Sequence, residues 1–214
     1  MTTLEHVASY FSLDLSRNLP TYDIRNTNRE SLAAFFGYMD FKKGVEIGVE
    51  RGEYSETLMK HLPKATAIYG IDPWLAYKGY REHVSQGKLD AFYAYTKERM
   101  VSYSAWRAVR QTSHQAATLF NDGELDFVYL DGNHDFFNVT RDLTVWTPKV
   151  RPGGIIAGHD FRRISTKGYN CHVVEVVVAW TQAFNIRPWF ILGAKDKVDG
   201  ELRDNSRSFF WVKS

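Results

Sequence analysis

The sequence predicts an α/β protein: a doubly wound, mostly parallel seven-stranded sheet with helices on both faces and an antiparallel C-terminal strand pair. Three observations carry this. Short apolar runs of strand length alternate with longer amphipathic stretches, the pattern of a parallel sheet buried between helical layers. Several of these runs end in glycine or aspartate, residues suited to turning the chain at the edge of a sheet. The last two apolar runs are separated by a charged, glycine-containing loop, residues 195–207, which suits an antiparallel pair.

Taken in order, Asn28 reads as the N-cap of a short amphipathic helix over residues 29–36 that stops near Gly37. Residues 44–48 are a strand ending in glycine, and residues 53–62 a helix closed by Pro63. A second strand over 67–71 is finished by Asp72 and Pro73. The spacing of Leu89, Phe92, Tyr93, Met100 and Val101 predicts a helix over 89–103, followed by a strand at 106–110. Ser113 caps a helix through Phe120, and the strand at 125–130 delivers Asp131. A helix over 138–146, on which Asp142 faces solvent, leads through the turn Pro152-Gly153-Gly154 to a strand at 155–158 that delivers His159 and Asp160. The valines from 173 to 178 favour a strand by propensity, but the length of the run and its place after a strand select a helix over 171–183. Strands at 189–192 and 209–212 complete the sheet; Phe209-Phe210-Trp211 is either an inner strand or a contact in a homodimer.

Composition bounds the class. The 214 residues are 44% apolar, enough for one domain over 1–214, with a helical extension at about 1–40 and a lid-like insert at about 74–104. A net charge of +2 gives no field that would draw nucleic acid or an anionic membrane, so neither is expected as a partner. The single cysteine, Cys171, excludes an internal disulfide and fits a reducing compartment, so the cytoplasm is expected. The first twenty or so residues hold no signal-like run. The apolar stretch from Val173 to Trp180, broken by Glu175, is too short to span a bilayer.

In a doubly wound sheet, ligands bind beyond the carboxyl ends of the strands. Gly48 and Gly52 flank a turn between strand and helix, where backbone can approach a ligand closely and helix amides are free. Asp72 ends the next strand, roughly twenty residues on, where a carboxylate can accept from ribose hydroxyls. Three residues separate the two glycines, unlike the GxGxxG dinucleotide pattern, so a nucleoside without phosphates fits better than a pyrophosphate.

Val45-Glu46-Ile47-Gly48-Val49-Glu50-Arg51-Gly52, Gly70-Ile71-Asp72-Pro73-Trp74, Asp126 to His134, Gly153-Gly154 and Gly158-His159-Asp160 together resemble class I S-adenosylmethionine-dependent methyltransferases, whose sheet is Rossmann-like. The resemblance runs from about Gly44 to the C-terminal aromatic segment and is closest to the small-domain group akin to macrolide-sugar O-methyltransferases and cephalosporin-hydroxylase-like proteins. It implies that S-adenosyl-L-methionine binds with Glu46, Gly48, Gly52 and Ser55 around its methionine part, Asp72 on its ribose, and Ser113 and His114 near its adenine. It also places Asp131 beside the cofactor.

Methyl transfer needs an acceptor held in line and, for a hydroxyl, a route for its proton. Asp131 and Asp160 end neighbouring strands, and two hard oxygen ligands on one rim suit Mg²⁺. His159 beside Asp160 favours another, softer divalent ion or a general base instead. His134 reads either as a general base with Asp131 and His159 or as a loop histidine. Tyr77, Tyr80, Tyr93 and Tyr95 either line the acceptor pocket under a lid or pack a local helix. The leading expectation is methylation of a hydroxyl on a small molecule or sugar. The alternatives are a non-catalytic cofactor-binding module and a protein or nucleic-acid methyltransferase, the last disfavoured by the charge balance and by the lack of an Asn/Asp-Pro-Pro-aromatic tetrapeptide.

Overall fold

The structure, a computed structural model, describes residues 1–77, 85–166 and 169–214. Its main sheet runs in the order β1 (Thr21–Ile24), β9 (Trp189–Leu192), β10 (Phe209–Val212), β6 (Val150–Gly158), β5 (Leu125–Leu130), β2 (Lys43–Ile47), β3 (Ala67–Ile71) and β4 (Trp106–Val109). Only β10 is antiparallel to its neighbours, β6 and β9. The other pairings are parallel, as expected of a doubly wound sheet. A two-stranded ribbon, β7 (Ile164–Thr166) with β8 (Tyr169–Cys171), stands apart.

The strands alternate side chains between two apolar layers. Val45, Ile47, Val128, Leu130, Ile156 and Trp211 enter one, with α6 (Phe136–Trp146) and α7 (Val173–Ala183) over it. Phe127, Tyr129, Ile155, Ala157 and Phe210 enter the other, under α1 (Thr3–Tyr10), α2 (Arg29–Tyr38) and α3 (Glu53–His61). Full burial of such side chains contributes about 1.5–3 kcal/mol each, which makes these layers the dominant stabilising term and the sheet a rigid platform. The valine-rich run is the helix α7, with His172 at its N-cap position but no side-chain cap. Phe209, Phe210 and Trp211 form an inner strand and are at most 1% exposed.

The structure corrects several expectations. An eighth strand, β1, adds to the edge at β9, pairing Tyr22 with Phe190 and Ile24 with Leu192, so the first forty or so residues are not wholly helical. Thr112, not Ser113, caps α5 (Ser113–Ala116), through a capping box with Gln115, and a 3₁₀ turn over Ala117–Leu119 follows. α4 (Gln86–Arg99) begins about one turn earlier than its apolar spacing predicts, because Ser85 caps it, and ends at Arg99 with Met100 as its C-cap. β6 starts at Val150 and carries the Pro-Gly-Gly segment through a register shift against β5. Asp142 is 6% exposed and lies on the buried stripe of α6 with Val139, Leu143 and Trp146.

Candidate active site

The predicted motifs meet along the carboxyl edge of the sheet. Ladder bonds continue past the strands, from Gly48 N to Ile71 O (2.9 Å), Asp131 N to Ile47 O (2.8 Å) and His159 N to Leu130 O (3.0 Å). They hold the ends of β2, β3, β5 and β6 side by side.

The turn after β2 has three residues in the left-handed region, Gly48 (φ 85°), Glu50 (φ 50°) and Gly52 (φ 72°). A Cβ at Gly48 would lie 2.1 Å from the Asp131 carbonyl oxygen, so the close approach of β2 to the loop after β5 requires glycine. Gly52 precedes α3 and gives it no side-chain cap, leaving first-turn amides of a nine-residue helix to a ligand. Asp72 fixes this turn: Oδ2 accepts from Val49 N and Glu50 N, each at 3.0 Å, and Oδ1 accepts from Trp74 N at 2.7 Å. Burial nonetheless raises its pKa, against the pull of those three amides. Fully buried Trp74, at φ 39°, donates its indole N–H to Glu50 O at 2.8 Å, and Thr96 Oγ1 on α4 donates to the same carbonyl at 3.0 Å.

Strand alternation turns Glu46 away from Val45 and Ile47 into the opposite layer, where Ser55 donates its hydroxyl to the carboxylate. Burial pushes the Glu46 pKa up to about 8, against that hydrogen bond. Beside it, Arg29 Nη1 is 3.8 Å from Asp131 Oδ2, and the guanidinium lies over the Tyr54 ring.

Asp131, His134, His159 and Asp160 form one cluster. His134 Nε2 is 3.0 Å from Asp160 Oδ2 and 3.5 Å from Asp131 Oδ1, while His159 Nδ1 is 3.5 Å from Asp131 Oδ1 and 3.6 Å from Asp160 Oδ2. Burial disfavours the charged forms of both imidazoles, yet the two carboxylates outweigh it and lift His134 to about 11 and His159 to about 9. Burial likewise opposes ionisation of the carboxyls, and the imidazoles hold Asp131 below, and Asp160 far below, the usual range. Asp160 itself sits at φ 52°. Ligand atoms of Asp131, His134 and Asp160 all lie within 4.8 Å of one another.

These groups surround a cavity of about 540 Å³, a size typical of small-molecule sites. The sequence profile of a methyltransferase-domain family matches residues 45–161, more than half of the chain and the whole of this wall from β2 to β6. The chain belongs to that family.

The fold places this methyltransferase in class I. It is similar to an O-methyltransferase from Bacillus cereus solved in complex with SAH (16% identity, 99% of this chain and 90% of that one, TM-score 0.59). It is also similar to the N-methyltransferase NodS of Bradyrhizobium japonicum (14% identity, 86% and 94%, TM-score 0.58). An rRNA methylase from Streptococcus thermophilus matches as well (7% identity, 86% and 95%, TM-score 0.59). These likenesses concern the fold. A curated Sinorhizobium fredii protein, y4gI, is 23% identical over 124 residues, and the match spans 58% of this chain but only 12% of that much longer relative.

In the methyltransferase the predicted site residues Glu46, Gly48, Asp72, Ser113, His114, Asp131, His134, His159 and Asp160 line the cavity; Gly52 does not, standing at the N-cap of α3, and Ser55 is fully buried and reaches it through Glu46. His114 is exposed at the rim, 3.2 Å from Thr112 Oγ1. Ser113 commits its hydroxyl proton to Asp142 Oδ1 (2.5 Å) and accepts from Trp146 Nε1 (2.8 Å). Arg29 and Asp142 were missed, and Trp74 was named only as part of the motif after the second strand. For Asp142 the signal was its place among Val139, Leu143 and Trp146 at helical spacing; for Arg29 the sequence carries none that we recognise. Of the aromatic insert, Tyr93 packs on Trp74 (4.8 Å), Tyr95 is exposed, and Tyr77 OH lies 3.3 Å from Asn133 Nδ2; Tyr80 falls outside the described residues. His172 accepts from Phe136 N at 3.1 Å, a structural role. Among the described residues no helix is long and apolar enough to cross a membrane.

Proposed function

We propose that this methyltransferase moves the methyl group of S-adenosylmethionine to a hydroxyl of a small molecule or sugar. The observation that carries the reading is the cluster of Asp131, His134, His159 and Asp160 on the same cavity as the glycine turn. The cofactor's amino-acid end is a zwitterion, and the cavity offers Glu46 for its ammonium and Arg29 for its carboxylate. Asp72 uses three of its roughly four acceptor positions on backbone, so about one remains for a ribose hydroxyl. Residues of the insert that begin at Trp74 brace the turn, which supports its role as a cover over the bound cofactor.

The cluster explains how an acceptor is handled. With both imidazoles held cationic by Asp131 and Asp160, neither takes the proton of an acceptor hydroxyl near neutral pH. Asp131, Asp160 and His134 present two oxygens and a nitrogen, a set that fits a divalent ion and favours a softer one over Mg²⁺. Such an ion, when bound, would lower the acceptor hydroxyl's pKa. His134 must lose its proton to join the set.

Calorimetric titration with S-adenosylmethionine, followed by radiolabelled methyl transfer across sugars, polyols and phenols with and without chelator, tests the reading. Binding with transfer to oxygen supports it. Binding with transfer only to protein or RNA, or with no transfer, overturns the acceptor class, and no binding overturns the whole reading.

A further inference from the structure

We infer that the methyl acceptor carries an anionic group, a carboxylate or a phosphate, close to the hydroxyl that is methylated, and that Arg162 binds it. The inference deepens the acceptor reading above and rests on it.

β6 delivers Asp160 into the cavity wall, and the chain then turns back on itself. Asp160 stands at φ 52°, and its carbonyl oxygen accepts from Arg162 N at 2.6 Å. The turn brings the Arg162 side chain onto the same carboxylate: its Nε lies 3.0 Å from Asp160 Oδ1, while Oδ2 faces His134 Nε2 at 3.0 Å. Asp160 therefore stands between the imidazoles and the guanidinium. It does not need Arg162 to satisfy it, because His134 and His159 approach Oδ2 and the Ser206 hydroxyl also donates to the carboxylate. An arginine carries five N–H donors in a planar fork that suits two oxygens of one anion. Among the described residues Arg162 makes an ion pair through Nε alone, and its side chain is 41% exposed, so the donors on Nη1 and Nη2 are open to a ligand. Its neighbours are spent elsewhere, Arg163 on Glu175 and Arg207 on Asp23.

The imidazoles and the guanidinium meet one carboxylate at its two oxygens, so a hydroxyl held at the first and an anion held at the second lie within a few bonds of each other. Uronic acids, hydroxy acids and sugar phosphates have that arrangement, whereas a neutral sugar leaves the fork facing solvent. With S-adenosylhomocysteine bound, calorimetric titration of glucuronate, glucose 6-phosphate and glucose reads the preference as a ratio within each protein, so a general loss of stability cancels. In the wild type at least one of the two anions should bind about tenfold or more tighter than glucose, and the tighter one identifies the group as carboxylate or phosphate. Arg162→Ala should bring that ratio to within about threefold. Arg163→Ala removes the same charge one residue away and should leave the ratio as it is. Glucose binding as tightly as both anions, no binding of any of the three, an unchanged ratio in Arg162→Ala, or an equal fall in the two variants overturns the inference. None of these outcomes touches transfer to oxygen, which the radiolabel assay decides. Failure of the wild type to bind S-adenosylhomocysteine overturns both readings.

Discussion

Asp72 Oδ2 accepts from Val49 N at 3.0 Å, which makes the loop after β3 and the glycine turn after β2 a single mechanical unit. The carboxylate that would hold a ribose is thus also the clamp that shapes the turn. Asp72→Ala leaves three backbone donors without their acceptor, at a cost of about 1–3 kcal/mol for each that water does not reach. The expected result is a lowered denaturation midpoint together with at least about a tenfold loss of S-adenosylhomocysteine affinity, measured by urea titration and calorimetry. Unchanged values in both would show that the clamp does nothing.

Glu46 links stability to pH. Its folded pKa of about 8 lies above the ordinary 4.5, so between those values the folded chain holds a proton that the unfolded chain has lost. Its contribution is therefore fully present below about pH 4.5 and is lost as pH rises through about 8, on the order of a few kcal/mol. Urea midpoints near pH 5.5 and 8.5 should differ more in the wild type than in Glu46→Gln. Equal differences would show that Glu46 is not buried protonated.

Arg29 is assigned to the cofactor's carboxylate, and ligand truncation isolates that contact. Arg29→Ala should weaken S-adenosylhomocysteine by about tenfold or more while leaving methylthioadenosine, which lacks the amino acid, within about twofold. Equal losses for both ligands would place Arg29 in a purely structural role.

The ion cluster predicts chelator sensitivity. Turnover should fall with chelator and return with a divalent ion, and His134→Ala should lower kcat by about a hundredfold or more while S-adenosylhomocysteine affinity changes little. Full turnover in chelator would overturn the role of an ion held by Asp131, His134 and Asp160.

Much of the platform was legible because its signals are local. Ala67–Ile71 and Leu125–Leu130 are apolar runs bounded by turn residues, and the strand ends name the cavity wall. Tyr22 and Ile24 were not, since four residues beside an open edge carry too short an alternation to stand against a helical neighbourhood. The cluster was half legible: Asp131, His159 and Asp160 follow strands, but the 3.0 Å approach of His134 to Asp160 depends on how the loop after β5 folds across β6. Asp142 was misread because its charge was given more weight than its position on the α6 stripe.

A crystal soaked with S-adenosylhomocysteine tests the central claim most directly. The account predicts ligand density with its ribose within hydrogen-bond reach of Asp72, its amino-acid end between Glu46 and Arg29, and its sulfur turned toward Asp131. Density for the adenosyl group away from the turn at Gly48 to Gly52, with Asp72 touching no ligand atom, would contradict it.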